Sequence, residues 1–428
     1  MIRRPPRSTL SSSSAASDVY KRQPQNDMEN GWVYWSNWDG VGDATSSIQM
    51  QRGLSAVNLA TPSIGGTMNI ITDPASHEKG GKFKQEIGAG GFLKSTLNYN
   101  SGLINDKLAL SGTIVRKTGD GFIDGTWTDA WAYYFGGSFA VSDDQRFELY
   151  DIGASQRHGQ NLYKQNIATY SQDLAGSIEG YDETAYAEGE KFEHEAGRFF
   201  NQNWAPVDPS YTGQQYWYMY GAKTTDRYNP NLLNERENFF HKPIIGLNYY
   251  RELNESMRLS TVLYHSPGEG GGTGTYGDVA RIDANGESDL SVDGHKFYYG
   301  PSPWTWDWDG MVAANSGSAS DVVVFQTDTV SRGDGESIGV LRNSTNIQKV
   351  SGLVTKFDYD FSSELSFGAG LDYRWADIYH VKYIRDLLGG SYFVNTDSEF
   401  DAPGTQKGLG DPVDYDFINY INWLGGYG

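Results

Sequence analysis

A two-residue period in hydrophobicity is the feature that most restricts what this chain can fold into. It is clearest in the stretch LSFGAGLDYRWA, where every second residue is apolar: Leu365, Phe367, Ala369, Leu371, Tyr373 and Trp375. A helix would distribute these side chains around its axis, whereas a strand places them on one face. The pattern begins at Gly81, and about nine or ten such strands follow. The sequence therefore predicts an all-β fold.

The connections between the strands alternate between short and long. Four are short polar turns: INDK at 104–107, SDDQR at 142–146, NESM at 254–257 and SSEL at 362–365. Others are long, from about 158 to 241, 265 to 348, 119 to 131 and 380 to 416. Short turns at one end and long loops at the other are typical of outer-membrane β-barrels. The strands also have roughly the 9–11 residues that a tilted crossing needs.

Composition is compatible with such a barrel. Only 38% of the residues are hydrophobic, which fits strands that are apolar on alternate positions. Aromatic residues near strand ends fit interfacial girdles: Tyr99, Tyr133, Tyr134, Tyr359, Tyr373 and Trp375. The absence of cysteine excludes a disulfide framework and thiolate metal sites. The formal charge of −20 argues against nucleic acid as a partner, since binding phosphates requires a basic surface.

The most specific motif is IQMQRGLSAVNLATPSIGGTMNIIT, residues 48–72, which precedes the first predicted strand of the barrel. It resembles the C-terminal end of the plug domain of TonB-dependent outer-membrane receptors, of the type found in Bacteroidetes. Seven residues carry the resemblance: Gln51, Arg52, Gly53, Gly65, Gly66, Asn69 and Ile70. The order, the spacing and the position before the strands all agree with that family.

The resemblance implies a transmembrane antiparallel barrel of about 22 strands, of which this chain holds the N-terminal part. A barrel of that size has a lumen that side chains cannot fill, so a plug must close it. We expect Arg52 to pair with lumenal carboxylates, with Asp358, Asp360 and Asp372 predicted to point there, because a buried charge is costly unless paired. The family's partner is the TonB–ExbB–ExbD complex, which pulls on a TonB box upstream of the plug.

Three segments are predicted. Residues 1–23 resemble translated sequencing-adapter sequence, or else form a disordered polar tail. Residues 24–74 are predicted to be the C-terminal part of the plug, and residues 75–428 the N-terminal part of the barrel. The TonB box, the start of the plug and the remaining strands of the family are not found in this sequence, so a gene fragment is expected.

The ligand-binding candidates lie in the long loops. Aromatic faces stack on sugars and chelators, but they also pack loops together, and both interpretations stay open. The candidates are Tyr216, Trp217, Tyr218, Tyr220, Trp304, Trp306 and Trp308, together with the polar residues His158 and Gln160, beside Asn161 and Lys164. The stretch WTWDWDG around Trp306 is interpreted as an aromatic loop tip.

No catalytic or metal-binding motif is present, so the chain is not expected to be an enzyme and no cofactor is predicted. His194, between two glutamates, is interpreted as part of a solvated loop. The sequence predicts an outer-membrane receptor of a Gram-negative bacterium that imports a scarce ligand, an iron–siderophore-type chelate rather than a glycan. A SusC-like glycan importer, a passive porin and a soluble β-rich glycan-binding protein remain as alternatives.

Overall fold

The computed structural model describes residues 17–20, 23–24, 27–38, 41–52, 66–182, 194–218, 221–227, 229–286, 288–289, 302–318, 323–325, 328–330, 332–396 and 401–425. Within this part of the chain the helices are short: α1 (Val41–Ala44), α2 (Gln172–Gly176), α3 (Trp308–Ser316) and three 3-10 helices (Trp35–Trp38, Pro74–Ser76, Ile167–Thr169). None of these helices is long and apolar enough to cross a membrane.

Strands make up most of the described chain. In chain order they are β1 (Ser17–Tyr20), β2 (Gln23–Pro24), β3 (Ser47–Arg52), β4 (Gly66–Ile71), β5 (Gly80–Ile87), β6 (Leu93–Ile104), β7 (Leu108–Asp120), β8 (Trp127–Ser142), β9 (Gln145–Gly159), β10 (Trp204–Pro206), β11 (Gln215–Tyr218), β12 (Ala222–Thr225), β13 (Leu232–Asn234), β14 (Glu237–His241), β15 (Ile244–Asn254), β16 (Met257–Gly277), β17 (Arg281–Asp283), β18 (Ser288–Asp289), β19 (Trp304–Trp306), β20 (Val323–Phe325), β21 (Asp328–Val330), β22 (Glu336–Ser337), β23 (Gly339–Asp360), β24 (Ser366–Asp386), β25 (Tyr392–Val394), β26 (Gln406–Lys407) and β27 (Pro412–Gly425).

Eleven of these strands form one large antiparallel sheet. Its order is β27-β24-β23-β16-β14-β9-β8-β7-β6-β5, and β15 also pairs with β16 and β9. β14 and β15 continue one another across Lys242 and Pro243, where the proline has no N–H to donate to a ladder. The predicted all-β fold is therefore confirmed, and counting β14 and β15 as one strand gives the ten strands expected from the sequence.

The two ends of the large sheet differ as the sequence predicts. At one end, which we call the turn end, tight turns join β6 to β7, β8 to β9, β15 to β16 and β23 to β24. At the other, the loop end, β9, β16 and β24 lead into the long connections. These connections pack on one another around a core that contains Trp308, Met311 and Leu388, each at most 1% exposed. The long loops thus form a folded layer of their own.

The large sheet has two distinct faces. The outer face carries many exposed apolar side chains at alternate positions, such as Leu97, Phe135, Leu149, Leu263 and Phe367. The inner face carries the polar partners in alternation, including Asp372 and Arg374, which form a buried ion pair with Oδ2 and Nη2 2.7 Å apart. The alternation predicted for LSFGAGLDYRWA is therefore confirmed.

A row of alternating glycine and tyrosine crosses the inner face. Gly136, Tyr150, Gly246, Tyr264 and Gly352 are successive cross-strand partners on β8, β9, β15, β16 and β23. A Cβ at Gly246 would overlap the ring of Tyr150, and one at Gly352 would overlap the ring of Tyr264. Each ring covers the glycine beside it, an arrangement that compensates for the missing side chain in a strand.

A small sheet of order β2-β1-β4-β3 packs against the inner face of the large one. Ile70 and Met68 of β4 and Trp38 meet Tyr134 and Tyr150 of the large sheet in one hydrophobic cluster. Residues 27–38, which we call the inner segment, lie on the same face. Part of the stretch predicted to be a non-native or disordered tail, Ser17–Tyr20, forms β1 and pairs in parallel with β4.

Candidate functional site

A recess lies between the inner segment and the inner face of the large sheet, near the loop end. Its volume is about 470 Å³, and Trp35 and Ser36 of the inner segment form one wall. Lys117, Thr128 and His158 of strands β7, β8 and β9 belong to the opposite wall. A concave site with a few convergent polar groups is the arrangement of small-ligand pockets. Of the ligand-binding residues predicted from the sequence, His158 is placed in this recess.

Hydrogen bonds fix the orientation of His158. Asn238 Nδ2 donates to the carbonyl of Gly271 at 3.1 Å, so Asn238 Oδ1 accepts from Gln156 Nε2 at 2.8 Å. Gln156 Oε1 is then the acceptor for His158 Nδ1, 2.5 Å away. Because each amide uses its nitrogen toward the next acceptor, the chain places a proton on Nδ1 of His158. This hydrogen bond fixes the orientation of the imidazole ring in the wall of the recess.

Three exposed aromatic residues of the inner segment were not predicted as site residues. Trp32, Tyr34 and Trp35 are 49%, 48% and 53% exposed. Large aromatic surfaces are rarely left uncovered in this way unless they meet a ligand or partner. The dense aromatic run GWVYWSNW was a usable signal in the sequence, but it lies before the motif that carried the resemblance.

The predicted loop aromatics are not in the recess. Trp217 on β11 is 7% exposed and lies between two guanidinium groups: its ring centre is 3.9 Å from Arg157 Cζ and 4.5 Å from Arg385 Cζ. The edge of Phe239 completes the enclosure at 5.1 Å. Arg157 and Phe239 are cross-strand partners on the outer face, opposite to the face of His158. In this conformation Trp217 holds β11 on the sheet.

The neighbours of Trp217 have similar packing contacts. Tyr218 stacks on Tyr383 at 5.7 Å between ring centres, and Tyr216 is 9% exposed against the same ring. Tyr220 lies outside the described residues. Gln160 is at the base of the long loop after β9, where its N–H donates to the carbonyl of Arg236 at 2.8 Å.

The interpretation of WTWDWDG as an aromatic loop tip is wrong, because the stretch forms β19 and the start of α3. Trp306 and Trp308 are 2% and 1% exposed and stack on each other with ring centres 5.3 Å apart. Trp308 Nε1 donates to the carbonyl of Leu233 at 3.1 Å, and Asp307 caps α3 by accepting from the N–H of Gly310. The loops supply enough apolar surface to form a core of their own, so these aromatics are buried inside it. Trp304 is half-buried at its edge.

The motif residues lie at the junction of β3 and β4. Arg52 is the cross-strand partner of Gly66, and Gln51 pairs with Thr67, while Gly53 and Gly65 lie outside the described residues. Asn69 Nδ2 donates to Gln49 Oε1 across the pair at 3.2 Å. The side chain of Arg52 is outside the described part, so its pairing stays a prediction. The three carboxylates expected to meet it have other cations nearby: Lys356 at Asp358, Arg258 at Asp360 and Arg374 at Asp372.

A second cleft, of about 710 Å³, opens between the long loops. Its walls carry carboxylate and hydroxyl groups, including Asp208, Asp309 and Ser316. At its floor, Tyr211 donates to Asp386 Oδ1 at 2.5 Å, and burial raises the pKa of the Asp386 carboxyl.

In the loop that contains His194, the adjacent Glu195 accepts from the N–H of Gln172 at 2.8 Å, and no cluster of metal-ligating side chains occurs among the described residues.

Comparison with known proteins relates the fold to a set of solved outer-membrane structures. No family model and no curated protein matches the sequence. The unliganded ferric citrate transporter FecA matches 96% of this chain at 11% identity, with a TM-score of 0.51 and 44% of that protein covered. The pyoverdine outer-membrane receptor FpvA from Pseudomonas aeruginosa matches 94% at 11% identity, with a TM-score of 0.50 and 45% of that protein covered. The chain thus spans less than half the length of these two proteins, and its large sheet has the fold of part of their barrels.

Proposed function

We propose that this chain is part of a TonB-dependent outer-membrane receptor that imports a scarce ligand into a Gram-negative cell. The observation that carries the proposal is the packing of the small sheet and the inner segment against the polar face of a sheet whose other face is apolar and exposed. A porin would need no such obstruction of its lumen. Exposed alternate apolar residues are what lipid requires of a barrel strand.

Transport then needs no covalent chemistry from the chain. A ligand enters from the loop end and binds in the recess between the inner segment and the strand wall. TonB, energised by the inner-membrane proton gradient, would pull the obstructing part of the chain to open a path to the periplasm. The TonB–ExbB–ExbD complex and the ligand are therefore the two partners that we propose, with outer-membrane lipid around the strands.

An iron chelate is the ligand class that we favour. The recess combines aromatic surface from Trp35 with Lys117 and His158, beside the acidic Asp120; the first three groups suit a flat chelate that carries negative charge. The two solved proteins of the same fold transport or bind ferric citrate and pyoverdine. A glycan is the second candidate, because Trp32, Tyr34 and Trp35 expose ring faces on which sugars stack.

The transport proposal predicts TonB-dependent uptake. The reading frame that carries this sequence would be expressed in a Gram-negative host without its own siderophore receptors, and uptake of radioactive iron measured with ferric citrate, ferric catecholate and ferric hydroxamate. We expect uptake of at least one chelate, and its loss in the same host without TonB. Uptake of a maltooligosaccharide instead would favour the glycan importer, and uptake unaffected by TonB would contradict both.

A Trp35→Ala change is expected to weaken ligand binding without changing stability. The side chain is 53% exposed, so its removal leaves no cavity, while an aromatic contact with a ligand contributes about 1–3 kcal/mol, or roughly 5- to 150-fold in Kd. The measurement is titration of the purified receptor with the chelate identified by uptake. Trp131→Ala is the matched control, since Trp131 is 51% exposed on the outer face. Equal affinity of the wild type and the Trp35 variant for the chelate would show that Trp35 of the inner segment does not contact the ligand.

A further inference from the structure

Two ion pairs fasten the inner segment to the strand wall. Lys242 Nζ lies 3.4 Å from Asp27 Oδ2 and donates to Gln348 Oε1 at 2.7 Å. His380 Nε2 lies 3.0 Å from Glu29 Oε2 and 3.1 Å from Glu29 Oε1. The two carboxylates belong to one tight turn, in which the N–H of Glu29 donates to Asp27 Oδ1 at 2.9 Å. The turn is therefore held at two points.

The two attachments respond differently to protons. Burial lowers the pKa of Lys242 below the ordinary value for lysine, and the carboxylate of Asp27 opposes that shift. Histidine is the side chain whose ordinary charge change falls between about pH 5 and 8. Both ring nitrogens of His380 face oxygen atoms: Nε2 faces the Glu29 carboxylate, and Nδ1 is 2.5 Å from Asn346 Oδ1. A neutral imidazole has a single N–H and can serve only one of these acceptors, while the imidazolium serves both.

The groups that face His380 come from three elements packed against it. From the inner segment it meets Glu29, and from β23 it meets the uncharged Asn346. On β27 the backbone of His380 pairs with that of Asp416, whose side chain lies outside the described part of the chain. Two residues further along β24, Lys382 forms its own pair with Asp414 at 2.5 Å, which balances that cation. The surroundings thus present carboxylate to His380 without a competing unpaired cation among the described neighbours.

The turn is connected directly to the aromatic wall of the recess. Asn30, next to Glu29, donates to the hydroxyl of Tyr34 at 2.9 Å and accepts from the N–H of Trp32 at 2.9 Å. Trp35 and Ser36 follow immediately and form the wall of the recess. A change in the attachment of Glu29 therefore reaches the site through a short, hydrogen-bonded stretch of chain.

We propose that His380 and Glu29 form a proton-dependent latch that positions the inner segment at the recess. With His380 protonated, the segment is held at both points and its aromatic wall is ordered. When His380 loses its proton, its charge attraction to Glu29 is lost and its single N–H can serve either Glu29 or Asn346 but not both, so the attachment at Glu29 weakens while the Asp27–Lys242 attachment remains. The effect on ligand binding rests on the proposed function, whereas the latch itself does not.

A mobility measurement without any ligand tests the latch. The chain contains no cysteine, so Ser36→Cys offers a single site for a nitroxide label in the receptor embedded in outer-membrane vesicles. Between about pH 5 and 8 we expect the mobile fraction of the label to rise by up to about fivefold, the upper range for a partly exposed ion pair. The spectrum of the label is compared with those of the same labelled protein carrying His380→Gln or Glu29→Gln.

Both of these variants are expected to abolish the pH dependence, because glutamine at either position does not titrate in this range. His265→Gln is the matched control: His265 is bonded to Ser351 at 2.9 Å, on the outer face, and its removal should leave the pH dependence intact. A pH-independent spectrum in the labelled wild type, or an unchanged pH dependence in the His380 variant, would overturn the proposal. Since no ligand is used, the result is independent of whether the receptor takes up iron.

Discussion

Replacing Glu237 by alanine is expected to lower the free energy of unfolding by about 3–5 kcal/mol, because it leaves buried positive charge without a partner. Glu237 is 4% exposed and accepts from Arg157 Nη2 at 2.6 Å and from Arg385 Nη2 at 3.1 Å. Arg385 is itself 1% exposed. The measurement is urea unfolding of the folded receptor in detergent micelles, monitored by tryptophan fluorescence.

The pH dependence of this loss has a definite sign. Burial raises the pKa of the Glu237 carboxyl, but the guanidiniums of Arg385 and Arg157 outweigh it, so the pKa lies below its usual value. A carboxyl with a lower pKa in the folded state contributes stability above its unfolded pKa of about 4.3 and loses it as the pH falls. The difference between wild type and the variant should therefore shrink in acid.

Arg258→Ala supplies the matched control for the Glu237 change. Arg258 pairs with Asp360 at 2.7 Å, but their side chains are 51% and 40% exposed. Water solvates such charges in both states, so we expect a change below about 1 kcal/mol. If the Glu237 variant were as stable as the Arg258 variant, the enclosed network around Trp217 would not contribute to holding β11 on the sheet.

Trp308→Ala is expected to cost about 3–5 kcal/mol, the range for removing a fully buried aromatic side chain. The change removes the stack on Trp306 and the hydrogen bond to the Leu233 carbonyl, and it leaves a cavity in the core of the loop layer. The same urea unfolding measures the loss, and proteolysis of the long loops should become faster. This outcome is opposite to that of a ligand contact, which would lower affinity and leave stability unchanged.

Trp304→Ala is the control for the Trp308 change. It is also in the stretch WTWDWDG, but the side chain is only half-buried, so a loss of about 1 kcal/mol is expected from the smaller apolar area. Equal losses at the two positions would contradict a distinct core around Trp308. A drop in ligand affinity without any loss of stability in the Trp308 variant would restore the ligand interpretation.

The sequence was most informative about the strands. The two-residue period in hydrophobicity placed Phe367 and Asp372 on opposite faces of the sheet, and the short polar turns marked one of its ends. Both features were predictable because they depend on residues that are close together in the sequence. The motif in residues 48–72 contains β3 and β4, and the residues that carry the resemblance include the cross-strand partners Arg52 and Gly66.

Positions inside the loop layer were not predictable in the same way. Whether Trp217 or Trp308 meets solvent, ligand or core depends on residues far away in the sequence, such as Arg385 for the first and Leu233 for the second. A stretch rich in aromatic residues has the same composition whether its rings are exposed to a ligand or buried in a core. His158 was named from the sequence because it leads from a predicted strand into the largest loop, while Trp35 was not named because its segment has no periodic pattern.

The row from Gly136 to Gly352 bears on how such a sheet avoids assembly errors. A hairpin that docked two residues out of step would set each tyrosine ring against a residue with a side chain and leave each glycine uncovered. The correct alignment of the strands is therefore the one in which both tyrosine rings cover their glycines. Along this row, the ring of Tyr150 over Gly246 favours the correct alignment of β9 with β15, and the ring of Tyr264 over Gly352 favours that of β16 with β23.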